Sequence, residues 1–206
     1  MRRTAIALSC GVLALAGCSA DGSGQSVVLD SGQAAVSSDF RIAQSEVADD
    51  VARVLSGLGQ PPGEPPAGLA SATAQRLVQG QLIEGFAATR GIEVTRTQVE
   101  QRLEQLATQN GGTDALNDLA LQSGIPIEGL EDAIRTDLLI SAIGQELGAA
   151  GDAQAQGEAT RVALSEYSEA IDIQVSPRYG TWDDAQLSII PGSSVAEQST
   201  QEQATP

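Results

Sequence analysis

Apolar positions along the chain recur mostly at helical intervals. Between Gln44 and Gly57, Val47, Val51, Val54 and Leu55, followed by Leu58, fall four, three, one and three residues apart. At about 100° per residue they share one helical face. Gly59 to Gly68 (GQPPGEPPAG) holds four prolines in ten residues and must be a loop. A second helix is predicted over Ser71 to Arg90, with Leu77, Val78, Leu82, Ile83 and Phe86 inward and Gly91 as its stop. Thr95 with Gln98 three residues on makes a capping box, and Val94 and Val99 occupy the staple positions around it. The third helix then runs to about Thr108, with Val99, Leu103 and Leu106 on one face, and Asn110-Gly111-Gly112 ends it.

Thr113 is expected to cap a short fourth helix carrying Leu116, Leu119 and Ala120 and stopping at Gly124. Ile125-Pro126-Ile127 leads into a fifth helix, where Leu130, Ile134, Leu138 and Leu147 line one face with Leu139 and Ile143 beside it. Gly148 to Gly157 (GAAGDAQAQG) reads as a low-complexity linker, and Glu158 to Ala170 as a short sixth helix around Val162 and Tyr167. The period drops to two only near the ends. Ala34-Ala35-Val36 and Phe40-Arg41-Ile42 flank a turn at Ser37-Ser38-Asp39, and Ile171, Ile173 and Val175 alternate with Asp172 and Gln174. A further extended piece is expected over Leu187 to Ile190, and a polar, disordered tail over residues 191–206. The pattern predicts a mainly α fold of about six helices with short strands at both ends.

Composition supports helices and removes several kinds of chemistry. Of 206 residues 41% are hydrophobic but only 2% aromatic, so the core is aliphatic rather than the aromatic and β-branched mixture of a sheet-rich fold. There is no His and no Lys; all 11 basic residues are Arg. A His-dependent triad, a His metal site and a Lys-bearing phosphate loop are therefore excluded. The net charge of −16 opposes nucleic acids and anionic membrane surfaces.

The amino terminus reads as an address. Arg2 and Arg3 precede the uncharged stretch TAIALSCGVLALA, which has signal-peptide length and is too short to span a bilayer comfortably. It ends in Leu15-Ala16-Gly17-Cys18, which resembles the lipobox of bacterial lipoproteins. That resemblance implies cleavage after residue 17, lipidation of Cys18 with acyl chains such as palmitate, and a protein anchored by lipid to the extracytoplasmic face of the cell membrane. The twin arginine admits the twin-Arg export route, but Thr4-Ala5-Ile6 fits it poorly and the general secretory route is preferred. Cys10 would leave with the signal peptide, so the mature chain has no disulfide. Losing Arg2 and Arg3 leaves nine basic against 27 acidic side chains, a net charge of −18. The expected organisation is a signal peptide over 1–17, a lipidated tether over 18–32, one domain over 33–190 and the tail.

Catalytic constellations are not evident. The acid pairs Asp49-Asp50, Glu131-Asp132 and Asp183-Asp184 lack the alternating oxygen ligands of a Ca²⁺ loop and read as solvated surface charge. No Gly-x-Ser-x-Gly motif accompanies the serines. No catalytic, cofactor or metal residue is assigned. Arg178, Tyr179 and Trp182 concentrate the residue types that dominate binding hot spots and are the candidate partner contact. The alternative is that Tyr179 and Trp182 pack on the helices and pin the terminal strand, while Arg178 pairs with an acidic neighbour. Tyr167 reads as core.

Taken in order, AVSSDFRIAQSEVADDV (35–51), QRLVQGQLIEGFAATRGIEVTRTQVEQRLEQL (75–106) and ALNDLALQSGIPIEGLEDAIRTDLLISAI (115–143) resemble the helical chaperone region of extracytoplasmic foldases of the SurA and PrsA type, the SurA N-terminal-like domain. Ala43 and Pro126 depart from that pattern, standing where Ser or Thr is usual, which implies weaker helix starts. The ending VSPRYGTW (175–182) is similar to the tail of small lipoproteins carrying this domain. The resemblance implies a SurA N-terminal-like helical lobe closed by pairing of its terminal strands. It also implies a protein that binds unfolded or exported polypeptides. In full foldases a parvulin prolyl isomerase domain follows the helical region; here only 148–157 lies in that place, and without His or a mature free Cys no isomerase activity is expected. The expected function is therefore a non-catalytic chaperone, or else an adaptor for one dedicated envelope protein, with no small-molecule substrate and no nucleic acid.

Overall fold

A computed structural model describes residues 28–61, 63, 65–148 and 151–191. The first elements among the described residues are β1 (Gln33–Val36) and β2 (Arg41–Ala43), an antiparallel hairpin with a bulge between Gln33 and Ala35. The intervening turn is held by Ser37, whose N–H donates to the Phe40 carbonyl at 2.9 Å and whose hydroxyl accepts from the Phe40 N–H at 3.1 Å. Six helices follow: α1 (Gln44–Gly57), α2 (Leu69–Arg90), α3 (Arg96–Asn110), α4 (Thr113–Gln122), α5 (Leu130–Leu147) and α6 (Ala153–Ile171). A 3₁₀ turn at Ile127–Gly129 precedes α5. The last elements among the described residues are β3 (Gln174–Val175), β4 (Thr181–Asp183) and β5 (Ser188–Ile190).

β3 returns to pair with β1, placing Val175 opposite Ala35 and Gln174 opposite Val36 in a sheet of order β2-β1-β3. Ala34, Ala35 and Val36 have no exposed surface, because β1 is flanked on both edges and covered by helices. β4 and β5 form a separate hairpin that lies against α2, with Ile189 buried in the main core. The strand expected over 171–175 is shorter than its alternation suggests. Ile171 is the last residue of α6, and Asp172 turns the chain in a left-handed conformation at φ 51°.

Two apolar clusters organise the helices. The larger joins Val47 of α1, Val78, Leu82 and Phe86 of α2, Leu139 and Ile143 of α5, and Leu164 of α6 to the strands. The smaller joins Val99, Leu116, Ala120, Leu130 and Ile134 from α3, α4 and α5. α5 serves both: Leu130, Ile134 and Leu138 face the small cluster, while Leu139, Ile143 and Leu147 face the large one.

Helix starts show which sequence signals operate. The Thr95 hydroxyl accepts from the Gln98 N–H, and the Gln98 side chain accepts from the Thr95 N–H at 2.8 Å, which satisfies two orphan donors. Ala43 cannot cap α1 with its own side chain. Glu46 nevertheless reaches back to accept from the Ala43 N–H at 2.7 Å, and the Gly32 carbonyl accepts from the Gln44 N–H. At α4 the cap is Gly112, with Thr113 already inside the helix. α6 begins at Ala153, five residues earlier than its composition implies, because Asp152 accepts from the Ala155 N–H at 2.9 Å. Much of the stretch read as a linker is thus the first turn of a helix.

Four apolar residues are placed differently from the periodic reading. Leu58 (41% exposed), Leu119 (48%) and Val162 (41%) lie outside the core, and Leu121 is buried in place of Leu119. Leu58 has left α1 as its C-cap residue. The partner of α4 lies on the side facing the end of α1: a Cβ on Gly57 would lie 2.6 Å from a Leu121 methyl. Gly180 has a stricter requirement, with φ 131° and the Ile190 carbonyl oxygen 2.3 Å from where a Cβ would stand.

Gly180→Ala is expected to destabilise the fold by about 3 kcal/mol, combining a disfavoured φ with a clash against backbone that cannot rotate away. Thr95→Ala should cost only about 1 kcal/mol, the usual loss of an exposed cap. Urea denaturation of the two variants beside the parent checks the ranking.

Candidate functional site

The three residues of the candidate partner contact separate in the fold. Trp182 is buried beneath β4 and α6. Its indole N–H donates to the Ser168 hydroxyl at 2.9 Å and to Asp184 at 3.1 Å, and Ser168 in turn donates to Asp184. An indole of this size contributes on the order of 4 kcal/mol by burial, which outweighs what an exposed rim contact supplies. Trp182 is therefore a pin of the terminal hairpin and is not available as a partner contact. Tyr179 is also mostly buried, at 6% exposure, but one side of it lines a surface groove. Arg178 is exposed beside it, with its guanidinium carbon 6.0 Å from the Tyr179 ring centre. Its hydrogen-bond partner is the Gln44 side-chain carbonyl at 3.2 Å rather than a carboxylate. Cys18 and the signal peptide lie outside the described residues, as does the tail from residue 192.

The groove beside Arg178 and Tyr179 has a volume of about 830 Å³. Val47, Val51 and Leu55 form its floor along α1, the exposed Ala48 and Ala52 its open side, and Pro61 and Pro65 part of its rim. Arg178 is the one charged residue lining it among the described residues. Pro61 and Pro65 have a fixed φ and no N–H to donate, which keeps this part of the rim apolar. Sequence periodicity assigned Val47, Val51 and Leu55 to the core and overlooked the groove. The available signal was Ala48 and Ala52, which widen the apolar face of α1 beyond a single packing stripe.

A second cleft of about 900 Å³ lies among α2, α5, α6 and the β4–β5 hairpin, with Leu77, Ile83, Ile140 and Leu187 among its apolar lining. Asp50 sits at one end and accepts from both Arg53 and Arg76. Asp50 and Asp184 are thus half-buried and partnered, whereas Asp49, Glu131 and Asp132 are exposed as expected for solvated charge. Among the described residues no three His, Cys, Asp or Glu side chains are grouped to hold a metal ion, and no helix is long and apolar enough to cross a membrane.

A helical lobe closed by its own terminal strands is the architecture implied by the motifs in residues 35–143; the open apolar grooves are a finding of the structure. Compared with known protein families, residues 30–144 match the SurA N-terminal domain. The chain belongs to the SurA N-terminal domain family. None of the curated proteins and none of the solved structures compared with it matches. Membership brings a chaperone-like, folding-related role and, at a coarse level, the binding of polypeptide clients. In this SurA N-terminal domain the matched residues end within α5, yet Leu164, Ile171, Trp182 and Ile189 from the following segment complete the same core.

One polar seam fastens that segment to the start of the domain. The Tyr167 hydroxyl on α6 donates to Asp39, in the β1–β2 turn, at 2.6 Å. Tyr167 also packs edge-on against Phe86, with ring centres 5.6 Å apart. Burial, then the hydrogen bond to Asp39 and its charge, push the Tyr167 phenol up to about 12. The bonds donated by Tyr167 and Ser38 hold the Asp39 carboxyl below its usual value. A lowered carboxyl contributes stability above its unfolded pKa, and that contribution disappears as pH falls through the folded value. A raised phenol contributes fully below 10, and its share disappears as pH rises toward about 12.

Denaturation of the parent followed between pH 10 and 12 should show a stability decline that is shallower in Tyr167→Phe. Phenolate absorbance should lose its component near pH 12 in the same variant. An unchanged slope and spectrum would mean that the seam does not form in solution.

Proposed function

We propose that this protein is a lipid-anchored extracytoplasmic chaperone, tethered through Cys18, that holds segments of unfolded or exported polypeptides in the groove along α1 without catalysing a reaction. The observation that carries this reading is the groove itself. It is apolar, open to solvent, bordered among the described residues by the single charge of Arg178, and set between α1 and a proline-rich loop. Such a surface excludes water from aliphatic and aromatic side chains without demanding a sequence, as a holding function requires. Arg178 and Tyr179 at its mouth add the residue types that strengthen polypeptide contacts. The net charge of −16 keeps a body with exposed apolar area soluble, and two or more acyl chains would give a stable anchor. The absence of His and Lys from the chain supports a role through shape rather than through acid–base chemistry.

In an aggregation assay an equimolar amount of the full chain should slow aggregation of an unfolded client, and Ala52→Glu should remove most of that effect. Prolyl isomerisation of a peptide substrate should not accelerate. No effect of the parent on aggregation, together with recovery of one stoichiometric envelope protein in a pull-down, would replace this reading with that of an adaptor. Radiolabelled palmitate should enter the protein in bacteria and be lost in Cys18→Ser; equal labelling of both would remove the anchor from the proposal.

A further inference from the structure

The cleft between α2 and α5 differs electrically from the groove along α1. Its apolar lining includes Leu77, Ile83 and Ile140, the last 40% exposed although it is a large aliphatic side chain. Besides Asp50 its lining carries three Arg and three carboxylates, and the Arg side chains already have acidic partners of their own. Arg53 and Arg76 are engaged by Asp50, and Arg161 by Glu158 at 2.6 Å. Glu84, Glu128 and Asp132 line the same cleft, are exposed, and form no ion pair among the described residues. Asp50 offsets one of its two guanidiniums and Glu158 offsets Arg161, so the three unpaired carboxylates outweigh the one positive charge left over, and the apolar floor is edged by a net negative rim.

We infer that this cleft binds cationic apolar polypeptide segments, in which Lys or Arg flanks aliphatic or aromatic side chains. Charge complementarity selects the occupant. An acidic segment would face three carboxylates of like sign, and a second copy of the chain, itself at −16, is repelled for the same reason. A purely hydrophilic cation would leave the floor around Ile140 wet and forgo the apolar contribution. The domain would then carry two surfaces of different selectivity: a groove along α1 with Arg178 at its mouth and a cation-selecting cleft across α2. This inference rests on the client-binding reading above but uses a different set of residues.

Fluorescence anisotropy with the full-length chain and three labelled peptides tests it. One peptide alternates Lys and Leu, the second has Glu for each Lys, and the third has Ser for each Leu. The Lys–Leu peptide should bind, and the other two should bind at least about tenfold more weakly. The variant Glu84→Gln, Glu128→Gln, Asp132→Asn should weaken Lys–Leu binding by about tenfold, the sum expected of three exposed charge contacts. Ile140→Ser should weaken it several-fold. Removing three carboxylates elsewhere (Glu104→Gln, Asp114→Asn, Asp118→Asn) should change it by less than about twofold if the effect is local. All the substituted positions are exposed, so folding is retained. Equal weakening by both triple variants, or equal binding of the Ser peptide, overturns the inference by reducing it to diffuse attraction. If that happens while Ala52→Glu still abolishes aggregation suppression, the cleft inference alone falls; if suppression is also absent in the parent, the client-binding reading falls with it.

Discussion

The pairing of β1 with β3 is the constraint on which the rest of the molecule depends. It brings together two short extended pieces from opposite ends of the described chain, with all six helices between them. Closing so long a loop is entropically costly, and a two-residue strand cannot offset that through its own hydrogen bonds. The contact is sustained because both partners also enter the apolar core. Ala34, Ala35 and Val36 of β1 have no exposed surface, and Ile171 and Ile173 beside β3 are buried with them. The polar links across the same seam are Tyr167 to Asp39, and the N–H groups of Ser38 and Ser176, which donate to the carbonyls of Ile171 and Ala34. They satisfy groups that the closure would otherwise bury unpaired.

Closure also creates the candidate binding surfaces. Once β3 is docked, the chain that follows carries Arg178 and Tyr179 to the edge of α1, where they wall one side of the groove. The same chain then turns at Gly180, folds Trp182 inward and places the β4–β5 hairpin over α2, where Leu187 borders the cleft. Neither surface belongs to the helical repeat pattern alone. Each is bounded on one side by helices from the matched family region and on the other by elements from outside it.

α5 explains why the lobe is one body although it contains two apolar clusters. Its two faces are offset around the helix, and the small cluster under α3 and α4 is joined through it to the large one. Gly144 allows α6 to approach α5 closely, since a Cβ there would lie 3.2 Å from the Thr160 hydroxyl. The cost of such closeness is a restricted choice of residue; its result is a closely packed α5–α6 pair that forms one wall of the cleft.

Much of the architecture was legible in the residues. The helix over 44–57, the Thr95–Gln98 box, the proline loop and the mainly α character all follow from local periodicity, caps and φ preferences, which act within a few positions of the chain. The order of these motifs also identified the family. Three features were decided by tertiary structure. Leu119 and Val162 face outward, Trp182 lies under the hairpin rather than at its surface, and the Arg178 guanidinium meets Gln44 instead of an acid. Local pattern states that a residue is apolar or charged and on which face of its own element it falls. Which of two faces is covered depends on what arrives from elsewhere in the chain, and here that is settled only when the two ends meet.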